Sequence, residues 1–93
     1  MIRSFADKDT ERVFRRERVR RWHPDVQRVA QRRLAYLHRA AGLADLAAVP
    51  GHRLEALSGN RKGFYSIRVN RQWRVCFRWE DGDAWEVEIT DYH

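Results

Sequence analysis

The spacing of hydrophobic residues changes once along the chain, and this change limits the possible folds. Before residue 53, apolar side chains recur every three or four positions, as on one side of a helix: Val26, Ala30, Leu34, Leu37 and Ala41. After residue 53 they alternate with polar side chains, as in Trp73, Val75, Phe77 and Trp79. Helices followed by an antiparallel sheet predict an α+β fold, with the amphipathic helix packed on one face of the sheet.

Capping residues indicate where the elements of the first half begin and end. We expect a short strand over residues 2–5 and then a helix over residues 10–15, with Asp7 or Asp9 as its N-cap. A second helix begins at His23-Pro24-Asp25, with Pro in its first turn. Gly42 is predicted to end this helix in the left-handed conformation, before one more helical turn over residues 43–46. The first half therefore predicts two N-terminal helices.

The second half predicts a twisted antiparallel sheet of three to four strands. We expect the strands over residues 54–57, 64–69, 73–79 and 85–90, with a polar turn over residues 58–63. Asp81-Gly82 is a two-residue hairpin signal between the last two strands. Regular alternation would place Trp85, Val87 and Ile89 together on one face.

The length of 93 residues predicts a single domain covering residues 1–93. No apolar run approaches the length of a membrane span, and the first residues lack a signal-peptide pattern, so we expect a soluble, cytoplasmic protein. The lone Cys76 lies in an apolar strand and is interpreted as a small core residue. Four scattered histidines and one cysteine have no zinc-site spacing, so we predict no metal and no cofactor.

Positive charge is concentrated in the first half of the chain. Nineteen Lys and Arg residues against thirteen Asp and Glu residues give a net charge of +6, with +7 over residues 1–40 and −1 over residues 41–93. Seventeen of the cations are Arg, whose planar fork matches phosphate. A polyanionic partner is therefore expected. Charge alone leaves open a non-catalytic regulator that binds RNA or DNA, although the second helix lacks the tight glycine turn before a recognition helix.

Four blocks in the second half are recognisable together: RLEALSGNR at residues 53–61, YSIRVN at 65–70, QWRVCF at 72–77 and VEITDYH at 87–93. In this order they resemble the HigB toxins of the RelE-like superfamily, and residues 2–5 and 41–46 are similar to that family too. The resemblance implies a RelE-like fold and a type II toxin that cleaves mRNA on the ribosome and so blocks translation. It also implies a HigA-type helix-turn-helix antitoxin as partner.

RNA cleavage without a metal needs a base for the ribose 2′-hydroxyl, a cation for the charged transition state and an acid for the leaving oxygen. Arg74 is the predicted charge stabiliser, because it lies mid-strand on the face opposite Trp73 and Val75 and carries a fork that fits phosphate. The alternative is an exposed strand arginine without a function.

The chain ends with a carboxylate, a phenol and an imidazole in succession. Histidine is suited to proton transfer near neutral pH, although chain ends are often frayed. The resemblance implies that His93 is the acid or base. Tyr92 is expected to stack on a nucleobase or contact the phosphate. Asp91 is expected to orient its neighbours and not to act as the base, because an ordinary carboxylate is too weak a base for a ribose hydroxyl. It also makes Glu55 a catalytic candidate, the alternative being a salt-bridge partner within a strand. His52, in contrast, is interpreted as a turn residue.

Other cations are candidates for RNA binding. Ser58 stands where relatives often carry Lys, and Arg61 or Lys62 is expected to replace that cation. Arg68 either contacts RNA phosphate or pairs with a glutamate across the sheet. The basic segment of residues 12–33 is expected to bind phosphates of ribosomal RNA, and Arg20, Arg21 and Arg28 represent it. The alternative is a cationic helix pair that is only solvated.

Overall fold

The computed structural model describes residues 1–91 and has the predicted α+β architecture. Its helices are α1 (Lys8–Phe14), α2 (Pro24–Arg39) and α3 (Leu43–Ala47). Its strands are β1 (Glu55–Ala56), β2 (Phe64–Arg68), β3 (Trp73–Glu80) and β4 (Asp83–Asp91), with a short 3-10 turn at Gly59–Arg61. The four strands form an antiparallel sheet in the order β1-β2-β3-β4, and β1 is shorter than the pattern predicted. Within residues 1–91, no helix has the length and apolar character that crossing a membrane requires.

The N-terminal segment extends the sheet beyond β4. Two parallel bridges, Ile2 with Ala84 and Phe5 with Val87, stand where the sequence predicts a short strand. The Arg3 amide donates to the Ala84 carbonyl at 2.8 Å, and the Ala84 amide donates to the Met1 carbonyl at 3.0 Å. The segment therefore covers an edge of β4 that would otherwise expose unpaired backbone groups.

Helix α1 is fastened to β4 through one threonine. Asp7 is the N-cap, and its carboxylate accepts from the Thr10 amide at 2.7 Å and from the Thr10 hydroxyl at 3.0 Å. The Thr10 oxygen itself accepts from the Ile89 amide at 3.0 Å, and Thr10 is fully buried. The same hydroxyl thus completes the helix cap and satisfies a backbone donor of the sheet.

Helix α2 begins as predicted and ends earlier than predicted. Pro24 occupies the first turn, and the His23 ring nitrogen accepts from the Asp25 amide at 3.1 Å. The helix ends at Arg39, because the next residue is extended. The prediction for Gly42 is wrong: its φ is −157°, and it is the N-cap of α3. The Asp45 carboxylate, which accepts from the Gly42 amide at 3.2 Å, fixes this connection and removes the need for a left-handed cap.

The core lies between α2 and one face of the sheet. Ile67, Val75 and Ile89 stand opposite one another on β2, β3 and β4, and none is more than 1% exposed. The buried apolar side chains that pack with them from the helices and from β3 are Val13, Ala30, Leu34, Leu37, Leu46 and Phe77. The apolar stripe predicted for α2 is confirmed within the helix, where Ala30, Leu34 and Leu37 are buried and Val26 is partly buried. Its last predicted member, Ala41, lies beyond the end of α2 and is exposed, so that part of the prediction is wrong.

A bulge in β4 changes which side chains face the core. Between the pairs Cys76–Glu88 and Arg78–Trp85, β4 contains one more residue than β3, and Glu86 has a φ of +54°. The prediction that Trp85 shares a face with Val87 and Ile89 is therefore wrong. Trp85 lies on the opposite face, where the Arg78 guanidinium is 5.5 Å from the centre of its ring.

We predict that Thr10→Val destabilises the protein more than Thr10→Ser. Valine keeps the volume and removes the oxygen, which leaves the buried Ile89 amide without an acceptor at a cost of about 1–3 kcal/mol. Serine keeps the oxygen and loses one methyl group, which costs roughly 0.8 kcal/mol. Urea unfolding of both variants measures the difference, and a valine variant as stable as the serine variant would contradict it.

Candidate functional site

The polar face of the sheet is the face turned away from α2. The strand register places two rows of side chains there, because residues that are direct partners share a face. One row crosses four strands and the next crosses three: Glu55, Ser66, Cys76 and Glu88, then Arg68, Arg74 and Thr90. Arg74, Arg68 and Glu55, which were chosen as separate sequence candidates, therefore meet on one surface.

Arg74 is buried, which contradicts the alternative of an exposed strand arginine. It is 5% exposed, and its Nε donates to the Ser66 hydroxyl at 2.7 Å. Its Nη2 donates to the Arg53 carbonyl at 2.7 Å and to the Ser66 carbonyl at 3.3 Å. These three acceptors are uncharged, so the bonds orient the guanidinium without themselves neutralising it. Burying a charged group is costly unless such partners hold it.

The carbonyl that holds Arg74 is turned by an unusual backbone conformation. Arg53 has a φ of +46°, a left-handed backbone conformation that residues other than glycine rarely adopt. The preceding residue, His52, is anchored: its ring nitrogen Nδ1 lies 3.0 Å from the Leu46 carbonyl and its own carbonyl accepts from the Arg68 amide at 2.6 Å. His52 is 1% exposed, so it is a buried support of the site and not merely a turn residue.

Charged groups surround the thiol at the centre of the polar face. Burial raises the pKa of Cys76, Arg61 and Arg74 lower it, and the carboxylate of Glu88 raises it further. A thiol with a raised pKa stays protonated near neutral pH, which makes it a poor nucleophile. Cys76 is 2% exposed, so the residue predicted as a small core residue is buried, but it lies on the polar face and not in the core between α2 and the sheet.

The remaining candidates on this side line the edges of the polar face. Glu55 is exposed on β1, directly opposite Ser66. Arg68 is half-buried opposite Arg74, and its Nε donates to the Asn70 carbonyl at 3.1 Å. Arg61 and Lys62 are exposed at the turn before β2, where the Arg61 guanidinium lies 4.9 Å from the centre of the Phe64 ring. Replacement of the missing cation at position 58 by Arg61 or Lys62 stays a prediction.

Asp91 does not join the polar face. It stands opposite Trp73, one position out of phase with Arg74, and its carboxylate accepts from the Gln72 amide group at 3.0 Å. It therefore lies on the helix side at the end of the sheet. Tyr92 and His93 lie outside the described residues, so their approach to Arg74 stays a prediction.

The basic segment of residues 12–33 lies on the helix side of the sheet. The Arg21 guanidinium is 4.8 Å from the centre of the Trp22 ring and 6.0 Å from that of Trp73. Arg28 pairs with Asp25 at 3.0 Å, and Arg20 is exposed. Trp73 faces away from Arg74, so these arginines and the polar face form two surfaces.

Sequence reasoning missed three residues of the site: Ser66, Arg53 and Glu88. Strand alternation places Ser66 and Glu88 on polar positions, but only the register shows that they stand beside Arg74 and Cys76. No sequence pattern signals the left-handed Arg53. Among residues 1–91, no group of three or more His, Cys, Asp or Glu side chains has the arrangement of a metal site.

Comparison with known proteins gives the family of the chain. The family model described as RelE-like toxin of type II toxin-antitoxin system HigB matches residues 3–93. The chain belongs to the HigB-like toxins. Toxin HigB-1 of Vibrio cholerae is 40% identical to it over 85 residues, 90% of each protein. Endoribonuclease HigB of Proteus vulgaris is 34% identical over 95 residues and covers the whole of both.

Solved structures confirm the RelE-like fold of this HigB-like toxin. Two YoeB-YefM complexes from Staphylococcus aureus match with TM-scores of 0.61 and 0.59, at 18% and 16% identity. Each match covers 100% of this chain and 98% of the other. As a member of a type II toxin-antitoxin family, the protein has an antitoxin as its partner.

We predict that His52 makes the fold sensitive to mild acid. Burial lowers the pKa of His52 and the charge of Arg33 lowers it further, against the opposing effect of the hydrogen bond with Leu46. In the unfolded chain the pKa of a histidine is about 6.5, so below that pH His52 binds a proton more readily in the unfolded state than in the folded state. The free energy of unfolding should therefore fall as the pH drops from about 7.5 to 5.5, by at most about 1.4 kcal/mol per pH unit.

The control for this prediction is His52→Gln, which cannot titrate. Urea unfolding at three pH values should show a steeper loss for the wild type than for the variant. Parallel curves would mean that His52 does not cause the pH dependence.

Proposed function

We propose that this toxin is an endoribonuclease that cleaves mRNA on the ribosome, without a metal, and so blocks translation. The observation that carries the proposal is the Arg74 guanidinium, which is fixed on the polar face by Ser66 and Arg53. The relative from Proteus vulgaris is named an endoribonuclease, and the family match extends over residues 3–93, which supports a single catalytic domain.

The proposed reaction is an internal displacement at phosphorus. The ribose 2′-oxygen forms a bond to phosphorus, the bond to the 5′-oxygen breaks, and one proton leaves the nucleophile while another reaches the leaving oxygen. Negative charge grows on the phosphoryl oxygens during this step. A guanidinium that is already oriented stabilises that charge without reorganisation, an effect worth about 10²–10³ in rate for one well-placed donor. Arg68, in the same row, adds a second positive charge for the RNA backbone.

Proton transfer is assigned to groups around this cation. We propose His93 as the acid or base, with Tyr92 contacting a base or phosphate. Glu55 is a second candidate for proton transfer, because it lies directly opposite Ser66, which holds Arg74. Asp91 faces the other side of the sheet at residue 73, so its proposed role is to orient the residues that follow it.

Docking on the ribosome is proposed for the basic segment, represented by Arg20, Arg21 and Arg28. Arg20 and Arg28 are exposed, and Arg21 lies over two tryptophan rings on the helix side. Such a surface binds phosphates without reading their sequence. The proposal gives ribosome binding and mRNA cleavage to separate surfaces.

We further propose a cytoplasmic location, where translating ribosomes are found, and a HigA-type helix-turn-helix protein as the antitoxin. The family match supports an antitoxin, and the HigA type extends that match to the corresponding partner class. Co-purification with a helix-turn-helix protein encoded beside this toxin tests the partner; stable association with an antitoxin of another fold would refute it.

We predict that Arg74→Gln lowers the rate of mRNA cleavage by at least about 100-fold, whereas Arg78→Gln changes it by less than about 2-fold. Arg78 is the matched control, because it lies on the same strand and face and pairs with Glu80 and Glu86 away from Ser66. Purified ribosomes, a defined mRNA and primer extension measure the rate. Equal cleavage by both variants would refute the role of Arg74, and binding of mRNA without cleavage by the wild type would favour the non-catalytic regulator.

The same assay tests the role of a metal. Replacing a nonbridging oxygen of the scissile phosphate by sulfur weakens contact with Mg²⁺, and a thiophilic ion restores it wherever a metal coordinates that oxygen. We expect no such rescue by Mn²⁺ or Cd²⁺. Rescue would overturn the metal-independent mechanism, and cleavage of an mRNA with a 2′-deoxyribose at that position would overturn the proposed nucleophile.

We predict that neutralising the docking surface weakens ribosome binding and leaves the fold intact. The test variant replaces Arg20, Arg21 and Arg28 by Gln, and the charge-matched control replaces Arg3, Lys8 and Arg71, which are exposed and lie outside the basic segment, by Gln. Co-sedimentation at several salt concentrations should show at least a 10-fold loss for the first triple and a shallower salt dependence. An equal loss for the control would mean that only net charge matters, which contradicts a specific docking surface.

A further inference from the structure

A cationic groove outside the polar face has no role in the proposed chemistry. It lies between α2 and the segment that precedes β1, with a volume of about 490 Å³, which is within the range of ligand pockets. Within residues 1–91, its lining contains no carboxylate. Its charged and aromatic lining consists of Arg16, Arg32, Arg33, Tyr36, Arg39 and His52. A groove with this charge is complementary to an anion.

One exposed aromatic ring stands in the groove. Tyr36 is 37% exposed, although most large hydrophobic residues of the described chain are covered. Its ring meets the His52 ring edge to face at 5.2 Å, and the Arg39 guanidinium lies 5.7 Å from its centre. The ring is thus fixed from one side. Arginine interleaved with a fixed aromatic ring is typical of surfaces that bind single-stranded nucleic acid, where phosphates meet the cations and bases stack on the ring.

The groove borders the site that contains Arg74. His52 lines the groove, and the next residue, Arg53, presents its carbonyl to the Arg74 guanidinium at 2.7 Å. A second connection is made by Arg33, which lines the groove and donates from Nε to the Arg68 carbonyl at 2.9 Å. Consecutive Cα atoms are about 3.8 Å apart, so the backbone at residues 52 and 53 both lines the groove and holds the guanidinium.

We propose that this groove binds the nucleotides that flank the scissile bond on one side, with Arg32 and Arg39 at their phosphates and a base stacked on Tyr36. The proposal rests on the endoribonuclease function and adds a binding subsite to it. The shared wall at residues 52 and 53 favours RNA over an acidic protein segment, because a strand that leaves the guanidinium past Arg53 would meet the cations of the groove. Arg20, Arg21 and Arg28, which represent the docking surface, are not part of this groove, whereas Arg16, Arg32 and Arg33 of the basic segment line it.

The test measures how binding depends on RNA length on each side of the scissile bond. The probes are RNA oligonucleotides with a 2′-O-methyl group at the scissile ribose, which blocks cleavage, in the sequence cut best on the ribosome. Nucleotides are added on the 5′ side or on the 3′ side, and fluorescence anisotropy gives the affinity. For the wild type we expect two added nucleotides to raise affinity about 10-fold on one side, and much less on the other.

Two pairs of variants assign this gain to the groove. Tyr36→Leu should lose most of the gain, whereas Tyr36→Phe, which keeps the ring, should retain it. Replacing Arg32 and Arg39 by Gln should reduce the slope of affinity against salt by about 1.4, since each phosphate contact on a single strand contributes about 0.7. The charge-matched control, Lys8→Gln with Arg71→Gln, should leave the length dependence unchanged.

Equal length dependence in the wild type and the groove variants would overturn the subsite. So would variants that lose affinity for the antitoxin and keep the length dependence, because the groove would then be a protein contact. A wild type that cuts mRNA on the ribosome but gains nothing from added nucleotides would overturn the subsite and leave the endoribonuclease function standing. Absence of cleavage by the wild type would refute the function itself.

Discussion

The candidate site depends on one buried cation, the guanidinium of Arg74. A charge with 5% exposure is tolerated only where hydrogen bonds replace the lost water, and here a hydroxyl and backbone carbonyls do so. The bonds to Ser66 and Arg53 also remove rotational freedom from a side chain that is flexible elsewhere. The burial that makes this arginine costly for the fold is what orients it for an anion.

Several irregular features of the chain exist around that guanidinium. Arg53 adopts a left-handed conformation that turns its carbonyl toward Arg74, and the buried His52 ring holds the preceding residue to Leu46. The bulge at Glu86 lets β4 keep Ile89 in the core while Thr90 faces Arg74. Backbone strain of this kind persists only where the surroundings over-determine it, and it is often found at functional sites.

The regular part of the structure could be predicted from hydrophobic spacing, and the irregular part could not. The stripe of α2 and the hairpin at residues 81–82 followed from period and turn chemistry. The orientation of Trp85 and the end of α2 did not, because a bulge and the Asp45 carboxylate override the local pattern. Arg74 was identified by its strand position and family likeness, whereas its partner Ser66 required the register of two strands, which no single segment specifies.

In the proposed function, the residues that bind RNA differ from the residues that determine which phosphodiester bond is cleaved. In the proposed function, arginines on the helix side and in the groove attract RNA of any sequence, since phosphate contacts carry no information about sequence. The choice of one phosphodiester must therefore come from the few groups whose positions are fixed. On the polar face Arg74 is such a group, and in the proposed function the exposed cations around it hold the strand without selecting the bond. A toxin built this way can change the RNA that it binds by changing surface arginines, while the bonds that hold Arg74 stay the same.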